Sequence, residues 1–254
     1  MLHSLYRYTV FRMFYMSESN SNVCIWNESR IRKIIEILFK THNVDLDEFI
    51  LKNALDKVHG VPNYFEILTA IILSQNTSDR NAIRAFNNLK TVLKEITHEN
   101  IAIVDESVLK SAIRVAGLAN RKSRILKELA VILQKNPHYL KDLERMDVKE
   151  ARKRLLELPG VGLKTADVFL LMVLKKPTFP IDTHINRVVK RLGIASSSDG
   201  YEDVRMKIVN YLSNDIDSLA ALHLLLIVHG RRICTARKPR CYHCTLSDLC
   251  CRNL

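Results

Sequence analysis

No apolar run in this 254-residue chain approaches the roughly 20 residues that a membrane-spanning helix needs; the longest candidates, such as 168–174, are short. The first 22 residues are aromatic but broken by Arg7 and Arg12, so the continuous apolar stretch of a signal peptide is missing. They read as a loose extension, with Met13 or Met16 as an alternative start. Alternating strand patterns bounded by turns are absent, as are low-complexity tracts and internal repeats. Cysteines are too few and too localised for a secreted, disulfide-stapled scaffold; four of the six lie together near the C-terminus, and Cys24 and Cys251 are left over. Acidic residues are also short: 27 Asp and Glu face 39 Lys and Arg, a net charge of +12. That surplus favours a polyanionic partner, of which nucleic acid is the commonest. A soluble, intracellular protein without a membrane association is the expectation.

What is present is helical periodicity. Ile31, Ile34, Ile35 and Leu38 fall at the spacing of a one-sided helix, and Leu126, Leu129, Ala130 and Leu133 repeat it. Ile185, Val188, Val189 and Leu192 do so again, with Gly193 placed to end the helix. Asp147 and Glu150 form a capping pair ahead of 151–156. With 47% hydrophobic residues there is material for a proper core. The pattern predicts an all-α protein of about ten helices joined by short loops. Breaks at His59-Gly60-Val61-Pro62 and Lys175-Lys176-Pro177 suggest a central segment of 60–176, flanked by 23–59 and 177–254, which meet behind it.

Two local patterns carry chemistry. Residues 155–174 read LLELPGVGLKTADVFLLMVL, a helix, a Pro-Gly-rich hairpin and a second helix. Such a turn aims backbone N–H groups outward at a helix N-terminus and suits a phosphate. Gly160 and Gly162 are the hairpin's candidates for backbone contact with DNA. The bland alternative is a plain αα-hairpin. The second pattern is Cys234, Cys241, Cys244 and Cys250, spaced C-x6-C-x2-C-x5-C within 17 residues. Four thiolates this close can converge on one metal centre, iron–sulfur or zinc. Structural zinc sites usually pair two short knuckles, and only one C-x2-C occurs here. Cys251 adjoins Cys250 and could replace it, although the x5 spacing favours Cys250. Arg237, Lys238 and Arg240 sit inside the cysteine array, where ligation would hold their charges ready for phosphates.

The sequence L-P-G-V-G-x-K-T-A, followed by Ile181-Asp182-Thr183-His184-x-x-Arg187-Val188 and by the cysteine array, resembles the endonuclease III branch of the helix-hairpin-helix/GPD superfamily of DNA glycosylases. The resemblance covers residues 60–250. It implies a two-lobed helical fold, a helix-hairpin-helix domain plus a cluster domain built from both chain ends. It implies a [4Fe–4S] cluster on the four cysteines, Lys164 as nucleophile and Asp182 as its partner. Leu73-Ser74-Gln75-Asn76-Thr77-Ser78-Asp79 resembles the family loop that fills the gap left by a flipped base. Asn76 falls where relatives commonly carry glutamine, so intercalation is shallower or Gln75 helps. Gly117-Leu118-Ala119-Asn120 resembles the second wedge, with Leu118 and Asn120 as its candidate contacts, and an ordinary helix–helix loop is an equal alternative. His184 matches a pocket histidine in the family.

The chemistry derives from the residue types. Base removal passes through a cationic sugar, which a carboxylate stabilises. A neutral amine can attack the anomeric carbon and form a Schiff base, after which the 3′ phosphate leaves by β-elimination. Lysine ordinarily titrates near 10.4, so desolvation by the everted nucleotide is needed to neutralise Lys164. The expected activity is excision of oxidised pyrimidines from double-stranded DNA with abasic-site lyase activity, carried out by a monomer. A monofunctional adenine or mismatch thymine glycosylase would typically replace the lysine, and the adenine type would carry a further C-terminal domain. A non-catalytic, cluster-bearing DNA-binding module would need neither Lys164 nor Asp182. The expected location is the cytoplasm, at the nucleoid, in a prokaryote, or the nucleus or an organelle in a eukaryote.

Overall fold

The computed structural model describes residues 24–55 and 62–251; the proposed N-terminal extension and most of the His59–Pro62 break lie outside them. The described residues are helical and carry no β-strand. In chain order the α-helices are α1 (Glu28–Thr41), α2 (Ile50–Leu55), α3 (Tyr64–Leu73), α4 (Asp79–Leu93), α5 (His98–Ile103) and α6 (Glu106–Ile113). Next come α7 (Ala119–Lys135), α8 (Tyr139–Asp142), α9 (Val148–Leu156), α10 (Leu163–Val168), α11 (Thr183–Leu192), α12 (Tyr201–Tyr211) and α13 (Ile216–Arg232). That is more than periodicity predicts, because α2, α5, α8 and α10 have only four to six residues each and cannot display a repeating stripe. The long amphipathic helices are where expected. Ile31, Ile34, Ile35 and Leu38 of α1 are buried, as are Ile185, Val188, Val189 and Leu192 of α11.

Caps explain where several helices begin. Asp147 accepts from the Glu150 N–H at 2.8 Å to open α9, Asn27 accepts from Arg30 N–H at 2.9 Å to open α1, and Asp215 accepts from Ser218 N–H at 3.1 Å to open α13. Gly193 ends α11 at φ 84°, a left-handed conformation that glycine adopts without a Cβ penalty. A Cβ there would also stand 2.5 Å from the Cys251 sulfur.

The chain divides into two compact units: the described residues of Met1–Val44 with Leu170–Leu254, and those of Asp45–Phe169. In the second unit α3 is apolar on nearly every face and has Phe65, Ile67, Leu68, Ile71, Ile72 and Leu73 buried. Helices α2, α4, α7, α8 and α10 pack around it. Each such side chain contributes about 1.5–3 kcal/mol on removal from water. In the first unit α13 has the same central role, buried from Leu222 to Gly230 and packed by α1 and α11. Arg32 of α1 donates to Asp215 at 3.1 Å and Ser218 at 3.0 Å, tying α1 to the start of α13.

The hairpin is fixed by a charge pair. Arg152 on α9 donates through Nε to Asp167 at 2.9 Å and through a terminal nitrogen at 3.1 Å, and Asp167 on α10 is fully buried. Two parallel bonds to a carboxylate give this pair directional strength. Arg152→Met leaves that carboxylate without its guanidinium and should lower unfolding free energy by about 3–5 kcal/mol. Lys33→Met, which breaks an exposed pair with Glu36, should cost no more than about 1 kcal/mol. Denaturant titration measures both, and equal losses would contradict a hairpin fixed by this pair.

Candidate functional site

Gly160 sits at φ 75° in the turn between α9 and α10, and a Cβ there would lie 2.5 Å from Cγ2 of Ile125. Glycine is required on both counts. Gly162 has ordinary extended backbone, with nothing within 4 Å of a Cβ, and serves as N-cap of α10 without a side-chain acceptor. Its bare, exposed surface leaves the approach to the first N–H groups of α10 unobstructed by a side chain. Lys164 is half-buried in the first turn of α10.

Gln75 reaches the same turn. Its side-chain nitrogen donates to Gly160 O at 2.9 Å and to Thr165 Oγ1 at 3.0 Å. The amide of Gln75, the residue offered as a helper to Asn76, is therefore engaged in bracing the hairpin. Asn76 beside it is exposed at φ 53°. Leu118 is likewise left-handed at φ 51°, and 51% exposed. Asparagine adopts this conformation readily, whereas Leu118 there costs about 1–2 kcal/mol, so packing elsewhere must hold its loop in place. Asn120 is exposed at the start of α7.

Sequence reasoning missed Lys122. Its ammonium is buried and donates to Leu73 O at 2.8 Å and Ala116 O at 2.9 Å. Burial pulls its pKa down to about 8. A buried lysine on an otherwise apolar helix face was the available signal.

In the other unit, Asp182 is the N-cap of α11, and its Oδ1 accepts from Ile185 N–H at 2.7 Å. Capping holds this carboxylate at the start of α11. His184 Nδ1 lies 3.3 Å from a terminal nitrogen of Arg187. Arg187 also donates to Gly230 O at 2.8 Å and Cys234 O at 2.9 Å. Arg191, one turn on, donates to Thr235 O at 2.7 Å and Ala236 O at 3.1 Å, and its guanidinium is 3.6 Å from Cys234 Sγ. Arg187 entered the sequence reading only as part of the matched motif, and Arg191, four residues on along α11, did not enter it at all. They fasten the helix that carries Asp182 to the chain leaving α13.

Cys234, Cys241, Cys244 and Cys250 line one cavity, walled by Val188, Leu192, Ile233 and Pro239 with Arg191 and Arg240 at its edge. All four are free thiols. As they stand, no three His, Cys, Asp or Glu side chains among the described residues converge tightly enough to hold a metal ion. The donor set nevertheless suits a soft metal centre: four thiols face a common apolar space, and Cys244 is pushed above the usual thiol range by burial, then by repulsion from the other three. Cys251, the alternative fourth ligand, is paired instead with Cys24 as a disulfide, Cα–Cα 5.6 Å. A separation of 227 residues gave no spacing from which to foresee it. On the cavity wall, His229 Nε2 lies 3.6 Å from Cys244 Sγ and its Nδ1 is 3.1 Å from His42 Nε2. Burial, then the neighbouring His42, lowers His229 to about 4, so the ring stays neutral at ordinary pH. Arg237, Lys238 and Arg240 are carried on the loop, which is pinned by Arg240 N–H to Ile233 O at 2.9 Å and Thr235 Oγ1 to Lys238 O at 2.7 Å.

The family model described as "HhH-GPD superfamily base excision DNA repair protein" matches residues 69–213. Endonuclease III of Sulfolobus acidocaldarius is 39% identical, over 84% of this chain and 92% of that protein. Endonuclease III of Escherichia coli is 34% identical over 73% of this chain and 82% of its own. Among solved structures, a trapped endonuclease III–DNA covalent intermediate superposes with a TM-score of 0.71 at 28% identity, covering 90% of this chain and 97% of that one. A thermostable thymine-DNA glycosylase shares the fold, with a TM-score of 0.65 at 24% identity over 89% and 95%.

The two glycines separate stability from access. Gly160→Ala should cost about 2 kcal/mol from the left-handed backbone alone, and more from Ile125. Gly162→Ala should stay within about 0.5 kcal/mol. Denaturant midpoints compared at equal m-value test the pair, and a larger loss at Gly162 would refute these roles in the turn.

Proposed function

This chain belongs to the HhH-GPD superfamily of base excision DNA repair proteins, in its endonuclease III branch, and from that premise we propose that it removes oxidised pyrimidines from double-stranded DNA with Lys164 as nucleophile and Asp182 as charge-stabilising partner. The general activity, a DNA glycosylase of base excision repair with lyase chemistry, comes with the family. No helix of the described residues is long and apolar enough to cross a membrane. The observation that carries the residue assignment is the setting of Lys164. It stands in the first turn of α10, behind a glycine hairpin that Gln75 braces at two points.

In this reading the backbone N–H groups of the hairpin at Gly160 and Gly162 take a DNA phosphate. Asn76 and Leu118 enter the stack in place of the extruded nucleotide, with Asn120 beside them, while Gln75 supports the hairpin. His184 belongs to the pocket. Arg237, Lys238 and Arg240 meet further phosphates. The neutral Lys164 amine bonds to C1′ as the bond to the base breaks, and the departing base takes up a proton. Asp182 steadies the positive charge that develops on the sugar. Nitrogen loses its proton, the ring oxygen is protonated as the sugar opens, and a Schiff base results. Loss of a 2′ proton then expels the 3′ phosphate by breaking C3′–O3′. Water hydrolyses the imine and restores the lysine.

Cys234, Cys241, Cys244 and Cys250 would hold a [4Fe–4S] cluster. Bound there, it fixes the cation-bearing loop as a structural centre. Purified protein should absorb broadly at about 400 nm if iron–sulfur is present, and Cys244→Ser should lose that band together with iron measured by elemental analysis. Full retention of iron in that variant would remove Cys244 from the ligand set.

Borohydride reduction on abasic duplex DNA should trap a covalent adduct, absent in Lys164→Ala. Asp182→Asn keeps a good N-cap and removes the charge. It should slow excision on the order of 10²-fold with the unfolding transition little changed. An undiminished adduct in Lys164→Ala defeats the nucleophile assignment, and full activity in Asp182→Asn reduces that residue to its cap.

A further inference from the structure

Lys122 occupies a place that a lysine does not ordinarily choose. It lies in the first turn of α7, near the positive end of that helix's own dipole, and is only 1% exposed. Something must offset both penalties. The structure supplies two carbonyls, Leu73 O at 2.8 Å and Ala116 O at 2.9 Å. Leu73 is the last residue of α3, and Ala116 is the last of the 3-10 turn Arg114–Ala116. Carbonyls at such ends lack intrahelical partners and carry the negative pole. One ammonium thus closes two helix ends at once and brings them within its own reach of each other.

Each of these ends leads directly into a candidate wedge loop. Three residues after Leu73 comes Asn76, and two after Ala116 comes Leu118. Both are left-handed, and both are exposed. We propose that Lys122 is a positioning residue for base removal, locking the loops of Asn76 and Leu118 into a single rigid wedge that enters the duplex as one piece. This rests on the assignment of the chain as a glycosylase. Two loops that moved independently would each lose conformational freedom at every insertion, whereas a pair tied beforehand to one buried cation has already lost it. The advantage applies only where a base must be displaced from a stacked duplex. An abasic site in a single strand has no such demand.

Lys122→Met keeps the side-chain length and removes the donors. Single-turnover excision from a duplex lesion should fall on the order of 10²-fold. Strand cleavage at a single-stranded abasic site should fall by at least about tenfold less. Equal fractional losses on the two substrates, or no loss on the duplex, would overturn the proposal, since a merely structural defect lowers both alike. Should Lys122→Met fail to fold, hydrogen exchange in the wild-type chain gives a second measurement. Gln75 N–H bonds to Ile72 O at 3.2 Å and Gly117 N–H to Arg114 O at 3.0 Å. If one cation holds both loops, these amides open with equilibrium constants that agree within about tenfold; a wider separation overturns the coupling. A wild-type chain inactive on every lesion would sink the glycosylase assignment instead, leaving the exchange comparison to judge Lys122.

Discussion

The backbone of an α-helix satisfies itself everywhere except at its ends, where four N–H groups and four carbonyls are left over. In a protein whose described residues are helices and loops, those ends supply the polar groups from which a site can be built. The candidate chemistry of this chain is gathered there. Lys164 lies just inside the N-terminus of α10, Asp182 caps the N-terminus of α11, and Cys234 comes just after the C-terminus of α13. The side chains that fix these places are themselves capping groups. Gln75 takes up Gly160 O in the hairpin, Arg187 takes up Gly230 O and Cys234 O, and Lys122 takes up Leu73 O and Ala116 O.

The same constraint separates what could be read from the sequence from what could not. A cap such as Asp147 or Asp182 answers an N–H three residues away, so a short window contains both partners. The buried stripes of α1, α7 and α11 repeat within two turns and are equally visible. The cysteine array and the Pro-Gly hairpin are local as well. Gln75, Lys122 and Arg187 answer groups 85, 49 and 47 residues distant. The partner is supplied by the folded chain, so the neighbourhood at most marks the residue, as the apolar stripe of α7 marks Lys122, and does not say what it answers. The Cys24–Cys251 pairing is the extreme case. Gln75 also shows that a local motif does not reveal which of its amides the fold itself uses. Asn76 holds the position at which relatives commonly carry glutamine, and the amide of its neighbour Gln75 is engaged inside the protein.

Gln75 and Lys122 have complementary effects on the unit that contains them. Gln75 joins the loop after α3 to the hairpin, and Lys122 joins the end of α3 to the turn before α7. Helix α3, buried along nearly its whole length, is the rigid member from which both connections start. Strain at Leu118 is tolerated because the groups on either side of it are fixed by charge-assisted hydrogen bonds. Precision at the exposed loops therefore derives from polar groups placed at the edge of an apolar core.

The other unit reaches a comparable result by a different route. Its loop of 233–250 contains few large apolar side chains, with Leu246 its fully buried member. Such a segment cannot hold itself by hydrophobic burial. Arg187 and Arg191 on α11 grip the carbonyls of the first residues after Ile233, at Cys234, Thr235 and Ala236, while Cys250 Sγ donates back to Arg191 O at 3.4 Å. Both ends of the cysteine array thereby converge on the helix whose first turn is capped by Asp182. The four thiols of this loop line one apolar cavity, a donor set that suits a soft metal centre. A metal centre in that space would act on the carboxylate only through α11, by holding the helix still, and need take no part in the chemistry at the sugar.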